Sequence, residues 1–356
     1  MKKHKWSTRN VIEETKDAVT IFFDTGQAAI VYQAGQYLNI TCSIDGEQVS
    51  RSYSFSSAPS DKFPAITVKR VANGKMSNYL VDNAKHISEW NIEAPFGNFV
   101  LNLQFIEDSE MVFLAGGSGI SPLSSMLKGL EDNVHKPLLL YANKTPEDTI
   151  FWSQLEALKT VDKLNVFYSF SSDIQNQKSL NCISGRFSQL IIRSIIRKQI
   201  KILNQAHYYI CGPAALKELY RDTLLGMNIP ETQIHAENFN PVVVNNIVLE
   251  TDGIPKEVLV RYYEDMFLDD EQQTYECTSL IEVQAGQSLL DAMGANNIKV
   301  PNSCKKGTCG SCWATKENGH VQMVHNYALT DEEVSNGKIL LCQSFPLDQS
   351  VYVVIV

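Results

Sequence analysis

The 356-residue chain has no apolar run near the roughly 20 residues a membrane-spanning helix needs, and its basic start (Lys2, Lys3, Lys5) leads into polar sequence rather than a signal-peptide core. A soluble, cytoplasmic protein is expected. Positive charge is also in deficit. With 31 Lys+Arg against 40 Asp+Glu the formal charge is −9, so a surface that tracks nucleic-acid phosphates is not expected. Glycine and proline are sparse, at 19 and 12, and no internal repeat is visible, which excludes collagen-like and low-complexity classes. Among the seven histidines, His86, His135, His320 and His325 show no metal-ligand spacing and read as structural or solvent-exposed. What remains is ordinary globular sequence, 44% hydrophobic and 20% charged, long enough for two or three domains.

The texture changes twice along the chain. Residues 1–104 carry short alternating segments (AVTIFFD at 18–24, GQYLNITCSI at 35–44, RSYSFSS at 51–57, AITVKRV at 65–71, WNIEA at 90–94), which predict an antiparallel barrel with one short helix at 77–84. Residues 105–240 alternate apolar strands (MVFLA at 111–115, LLLYA at 138–142, LNVFYSF at 164–170, HYYICG at 207–212, QIHAENF at 233–239) with helix-length segments, which predicts a doubly wound parallel sheet. Within it the stripe LIIRSIIRK at 190–198 reads as core-facing. Residues 241–255 read as a linker. Residues 256–356 predict a small α+β module whose helix starts at Ser288, with Asp291 completing a capping box. This last module holds 7 Lys+Arg and 14 Asp+Glu, most of the net negative charge.

Four of the eight cysteines are grouped as Cys304-x4-Cys309-x2-Cys312-x29-Cys342. That spacing is the plant-type [2Fe–2S] pattern, in which four thiolates serve two irons. Gly307 and Gly310 let backbone amides turn toward the sulfurs, and small residues between the ligands avoid crowding the metal. A structural zinc site would use the same thiolates, but zinc modules favour two closely spaced pairs and fit the x4 spacing poorly.

RSYSFSS at 51–57 reads either as a half-buried strand with Arg51 solvated or as a flavin seat. In the second reading Arg51 neutralises a diphosphate, Tyr53 packs on the isoalloxazine and Ser54 bonds the flavin N5. NGKMS at 73–77 puts Gly74 and Ser77 at a helix start, where amides bind a second anionic edge. GGSGISP at 116–122 follows a strand and opens a helix with Pro122 in its first turn, the context of a phosphate-binding turn, although it is not G-x-G-x-x-G and a tight turn needing positive φ would look the same. CGP at 211–213 ends another strand where ligands collect; Cys211 either faces a nicotinamide or is an inert buried thiol.

Together these motifs resemble the ferredoxin–NADP reductase superfamily fused to a C-terminal plant-type ferredoxin domain, over nearly the whole chain. The order flavin, nucleotide, ferredoxin is similar to NADH-dependent oxygenase reductases of the phenylacetyl-CoA epoxidase and 3-ketosteroid 9α-hydroxylase type, with further matching stretches at APFGNF (94–99), YANKTPEDTIFW (141–152), HAENF (235–239) and VHNYALTDEEV (324–334). The resemblance implies an antiparallel flavin barrel, a parallel-sheet nucleotide domain and a β-grasp-like ferredoxin domain. It implies FAD rather than FMN, seated by Arg51, Ser52, Tyr53, Ser54, Ser56 and Ser57 with Gly74, Lys75, Met76 and Ser77. It implies a nucleotide site from Gly116, Gly117, Ser118, Gly119 and Ser121, joined by Cys211, Gly212 and Pro213. Glu237 is implied beside the nicotinamide, with a solvated strand-end carboxylate as the alternative, and Phe239 over the flavin. NADP-using relatives often carry Ser-Arg after the third sheet strand. Here Ser172 and Asp173 stand there, which favours NADH, while Lys144 keeps NADPH open.

The implied activity takes hydride, two electrons, from NADH and passes them singly from flavin to cluster to an external acceptor, an oxygenase or hydroxylase component. A plant-type cluster near about −400 mV needs a well-matched flavin. The acidic ferredoxin module predicts a basic docking patch on that partner. Two other classes fit the motifs less well: a flavin and iron–sulfur redox sensor with negligible turnover, and a zinc-stabilised flavin reductase.

Overall fold

A computed structural model gives the fold of residues 2–355 except 27–29, 103–108, 131–134, 173–180, 238–248, 250–251, 269–270, 303 and 330. The chain forms two compact units, Met1–Pro95 with Phe99–Asn238, and Phe239–Val356 with Phe96–Asn98.

The first unit opens with strands β1 (Lys2–Thr15), β2 (Ala18–Asp24), β3 (Tyr37–Ile44), β4 (Glu47–Ser54), β5 (Ala65–Lys69) and β6 (Glu89–Phe96), with helix α1 (Lys75–Asn83) before β6. They form one sheet in the order β4-β3-β6-β1-β2-β5. A bridge from Phe55 to Ile66 joins its two edges and closes the expected antiparallel barrel. The alternating apolar residues face inward, and Trp6, Phe23 and Trp90 meet at the centre, the last two edge to face at 5.6 Å. β1 was not legible in the sequence: register shifts between Thr8 and Asn10 and between Glu13 and Thr15 break its alternation.

The chain then builds a parallel sheet from β7 (Met111–Gly116), β8 (Leu138–Asn143), β9 (Asn165–Phe170), β10 (Cys182–Ser184), β11 (His207–Cys211) and β12 (Ile234–Ala236). Between them lie α2 (Ile120–Lys128), α3 (Trp152–Thr160), α4 (Gln189–Gln199) and α5 (Ala214–Leu225). β7 is buried throughout, as a strand covered on both faces must be, and α4 buries Ile192, Ile195 and Ile196, so its stripe is core-facing. Strand order β10-β9-β8-β7-β11-β12 reverses direction between β7 and β11, and that switch point is where α/β sheets bind ligands.

Barrel and sheet share a hydrogen-bonded seam. From α2, Ser125 Oγ donates to the Ser57 carbonyl at 2.6 Å, and Ser124 Oγ and Lys128 Nζ donate to the Ser56 carbonyl at 3.4 and 3.2 Å. The helix that follows the Gly-rich turn thus holds the strand end that follows Ser54.

The second unit contains β13 (Lys256–Leu268), β14 (Glu271–Val283), α6 (Leu289–Ala295), β15 (Trp313–Asn318), β16 (Val321–Met323), α7 (Asp331–Ser335), β17 (Lys338–Leu340), β18 (Ser344–Pro346) and β19 (Val351–Val354). The main sheet runs β14-β13-β19-β15-β17, with α6 packed on its core through Leu289, Leu290 and Met293. Ser288 caps α6 as expected, accepting from the Asp291 amide at 3.2 Å. The box is not reciprocal, however: the Asp291 carboxylate accepts from the Ser288 hydroxyl at 2.8 Å. Among the described residues no helix is long and apolar enough to cross a membrane.

Candidate functional site

The RSYS strand lies in β4, paired with β3 so that Ser54 opposes Tyr37 and Tyr53 opposes Leu38. Alternation sends its residues to different fates. Ser54 is 4% exposed and its Oγ has no hydrogen-bond partner among the described residues. A buried hydroxyl is costly unless something completes it, so it fits a cofactor atom arriving there. Tyr53 packs partly against the barrel core, burial pushing its hydroxyl well above the usual range. Arg51 is exposed, with Nη1 donating to the Ser50 carbonyl at 2.7 Å.

Other hydroxyls of the motif serve the barrel itself. Ser52 Oγ donates to Asn39 Oδ1 at 2.6 Å, and Ser56 Oγ accepts from Thr67 at 2.9 Å. Ser57 Oγ accepts from the Ala65 amide at 2.7 Å and meets the Tyr32 hydroxyl at 2.8 Å. At the start of α1, Gly74 is the N-cap, and a Cβ there would stand 2.6 Å from Ser77 Oγ. Met76 is buried, Ser77 Oγ accepts from the Val71 amide at 3.1 Å, and Lys75 pairs with Glu47 at 2.6 Å.

The Gly-rich turn stands at the carboxyl end of β7 beside that of β11, with Ala115 opposite Cys211. Gly117–Gly119 form one 3₁₀ turn before α2, and Pro122, the third residue of α2, stands in its first turn as expected. These glycines differ in what surrounds them. Gly117 has φ +52° with nothing within 4 Å of where a Cβ would be, so the chain turns there beside open space. At Gly119 a Cβ would lie 2.3 Å from the Cys211 carbonyl oxygen, and at Gly116 it would lie 2.4 Å from Leu216 Cδ2. Ser118 is exposed, and Ser121 is buried with an unpartnered Oγ. Gly212 has φ +155°, and Pro213 is the N-cap of α5. An amide-bearing turn with open space on one side and an orphaned hydroxyl behind it fits a dinucleotide phosphate.

Cys211 is completely buried, which pushes its thiol well above the usual range. Glu237 follows β12 and is also buried, so the solvated-carboxylate alternative is corrected. Burial pushes its carboxyl up to about 8, opposed by the nearby Lys217 ammonium, and its Oε2 has no partner among the described residues. Lys217 Nζ donates to the Glu237 carbonyl at 2.6 Å. No motif pointed to Lys217, because only the fold brings α5 against the end of β12. Lys144 is exposed, and its carbonyl accepts from the Ser172 amide at 3.0 Å. Asp173 and Phe239 lie outside the described residues.

The cysteine loop lies between α6 and β15, with Cys342 in a 3₁₀ turn after β17. The amides of Lys306, Thr308 and Cys309 donate to Cys304 Sγ at 3.3, 3.4 and 3.3 Å, and the Cys304 amide donates to Cys309 Sγ at 3.4 Å. Positive φ at Lys305, Gly307 and Gly310 produces that inward turn. Gly307 is required by close approach as well, since a Cβ would meet the His325 carbonyl oxygen at 2.6 Å. The thiols act in two pairs. Cys304 is drawn down to about 4 and Cys309 pushed up, each first by their mutual hydrogen bond; Cys342 is drawn down and Cys312 pushed up in the same way. Among the described residues no three His, Cys, Asp or Glu side chains converge on one point. Two thiol pairs in an amide-lined loop fit two bridged irons.

Comparison with known proteins agrees from end to end. The sequence matches the oxidoreductase FAD-binding domain over residues 7–101, the oxidoreductase NAD-binding domain over 113–222 and the 2Fe-2S iron-sulfur cluster binding domain over 268–347. The glycine betaine monooxygenase reductase subunit of Pseudomonas aeruginosa is 30% identical, covering 94% of this chain and 91% of that one. The ferredoxin reductase component of 3-ketosteroid-9-alpha-monooxygenase from Mycobacterium tuberculosis is 30% identical, covering 96% and 93%. The chain belongs to this family of oxygenase reductase components. The reductase shares its fold with phthalate dioxygenase reductase, at a TM-score of 0.56 and 21% identity over 99% of this chain and 98% of that one. The expected order of flavin, nucleotide and ferredoxin domains is borne out, and so is FAD as the flavin.

Proposed function

We propose that this reductase takes hydride from NADH and delivers the electrons one at a time, by way of FAD and a [2Fe–2S] cluster, to an oxygenase component. The carrying observation is the paired, amide-lined thiols on the same chain as a flavin barrel and a nucleotide sheet. When bound, FAD accepts two electrons together and the cluster hands on one at a time. The chain holds, orients and shields them. Ser54 is assigned the hydrogen bond to flavin N5, supported by its buried partnerless hydroxyl. Tyr53 is assigned the ring contact, and Arg51 the diphosphate with the α1 start at Gly74, Met76 and Ser77. Glu237, with a carboxyl at about 8, keeps its proton at neutral pH and is assigned, with Cys211, to the nicotinamide end. Phe239 is assigned the flavin cover on the sequence alone.

The turn Gly116–Gly119 is assigned the pyrophosphate, and Ser172 and Asp173 the ribose that distinguishes NADH. Domain limits of 1–104, 105–240 and 256–356, with a linker at 241–255, go with this reading. So does a cytoplasmic setting, which eight cysteines without a disulfide among them favour. Relatives that are reductase components along nearly their whole length favour turnover over redox sensing.

The test is an anaerobic visible spectrum before and after stoichiometric NADH, with iron and acid-labile sulfide assayed on the same sample. Flavin and iron–sulfur absorbance should bleach together; cofactors present but unbleached would reject NADH as donor. The partner is assigned a basic docking patch that faces the acidic ferredoxin module. Turnover with the partner, or with basic cytochrome c, should therefore fall several-fold between low salt and about 0.5 M. A flat salt profile would reject that docking surface.

A further inference from the structure

The Gly-rich turn is held from behind by a tyrosine to which the sequence assigns no role, the first residue of the 141–152 stretch. Tyr141 lies in β8, next to β7, with its ring in the sheet core and no exposed surface. Its hydroxyl donates to the Gly117 carbonyl at 2.9 Å, and the same carbonyl accepts from the Ile120 amide as α2 begins. A trans peptide is planar, with its carbonyl and its amide hydrogen on opposite sides. The only cis peptide among the described residues is Ala94–Pro95. With the Gly117 oxygen drawn inward to Tyr141, the amide of exposed Ser118, on the opposite side of the same trans peptide, faces away from Tyr141.

We propose that Tyr141 is a positioning residue for the dinucleotide: by fixing the Gly117 carbonyl inward it aims the Ser118 amide at the pyrophosphate. Complete burial keeps the Tyr141 hydroxyl protonated far beyond neutral pH, so the donor is always present. A second hydroxyl steadies the strand below the turn, Tyr220 donating to the Ala115 carbonyl at 3.3 Å. Phenylalanine at 141 would keep the ring and its packing and leave the Gly117 carbonyl to the Ile120 amide, so the peptide is held less firmly.

The inference rests on the nucleotide reading of the turn, so two variants of the holoenzyme are needed, Tyr141→Phe and Ser118→Glu, the latter placing negative charge where the phosphate sits. Both are assayed by ferricyanide reduction with NADH and with a phosphate-free N-alkyl-dihydronicotinamide. The readout is the ratio of kcat/KM for the two donors. Y141F should lower this ratio about three- to tenfold, mainly through the KM for NADH, the effect of one lost neutral hydrogen bond. S118E should lower it further. If S118E lowers the ratio and Y141F does not, the positioning role is wrong and the nucleotide reading stands. If S118E leaves the ratio unchanged, the nucleotide reading fails and the role of Tyr141 with it. Equal losses with both donors in Y141F would make the tyrosine a packing residue only and overturn the proposal.

Discussion

Replacement of Cys312 by alanine is expected to abolish delivery of electrons to one-electron protein acceptors while sparing the flavin chemistry. Cys312 is 2% exposed, pairs with Cys342, and its carbonyl accepts from the Leu341 amide at 2.9 Å, so it is both a thiol of the second pair and a tie between the loop and the turn that holds its partner. With one of four thiolates gone, binding free energy that doubles as folding energy for the loop is lost. Iron and sulfide should fall to background, and cytochrome c reduction should drop on the order of a hundredfold or more. NADH-driven ferricyanide reduction, which draws on the flavin, should stay within about twofold, because the first unit contains the nucleotide sheet and the flavin barrel as far as Pro95 of β6. Stoichiometric iron and sulfide in the variant would refute the ligand assignment. Loss of ferricyanide activity with FAD still bound would refute the order of the relay.

A second large effect is expected at Gly119. The three atoms nearest an added Cβ are all backbone: the Cys211 oxygen and carbon at 2.3 and 2.4 Å, and the Gly212 nitrogen at 2.6 Å. None can rotate away, so Gly119→Ala forces apart the start of α2 and the end of β11, the two walls of the switch point. The cost should be about 1–3 kcal/mol of stability, and kcat/KM for NADH should fall at least about tenfold as the turn moves off the sheet. Gly117→Ala is the internal comparison, since its Cβ meets nothing and only the positive φ is strained, at about 1 kcal/mol. Urea denaturation and steady-state kinetics on both variants decide the matter. A G119A protein as stable and active as G117A would mean that the turn is not packed against the Cys211–Gly212 peptide.

The parts of this site that were legible in the sequence are those whose chemistry is local. Ligand spacing in the 304–312 loop and glycines beside a strand end are constraints of a few bonds, so the [2Fe–2S] loop and the 116–119 turn could be read directly. Roles that depend on strands meeting across the fold could not. Tyr141 acts on a residue 24 positions away and Lys217 on one 20 positions away, and either reads as ordinary strand or helix sequence. β1 was hidden by its bulges, although its Trp6 pairs with Trp90 at the barrel core. Nor could the sequence show that the hydroxyls of Ser56 and Ser57, part of a recognisable motif, are bonded by the barrel and Tyr32.

The bonds that α2 sends to the Ser56 and Ser57 carbonyls bear on how reductases of this kind are recombined. A chimera that imports a foreign nucleotide sheet must recreate two serines and a lysine, at positions 124, 125 and 128, against a strand that did not evolve beside them. A crossover after residue 238 inherits all three contacts intact, because both partners of every bond lie within the first compact unit. The unit of exchange is therefore the barrel together with its sheet. Swapping the iron–sulfur module is the graft that leaves this seam untouched.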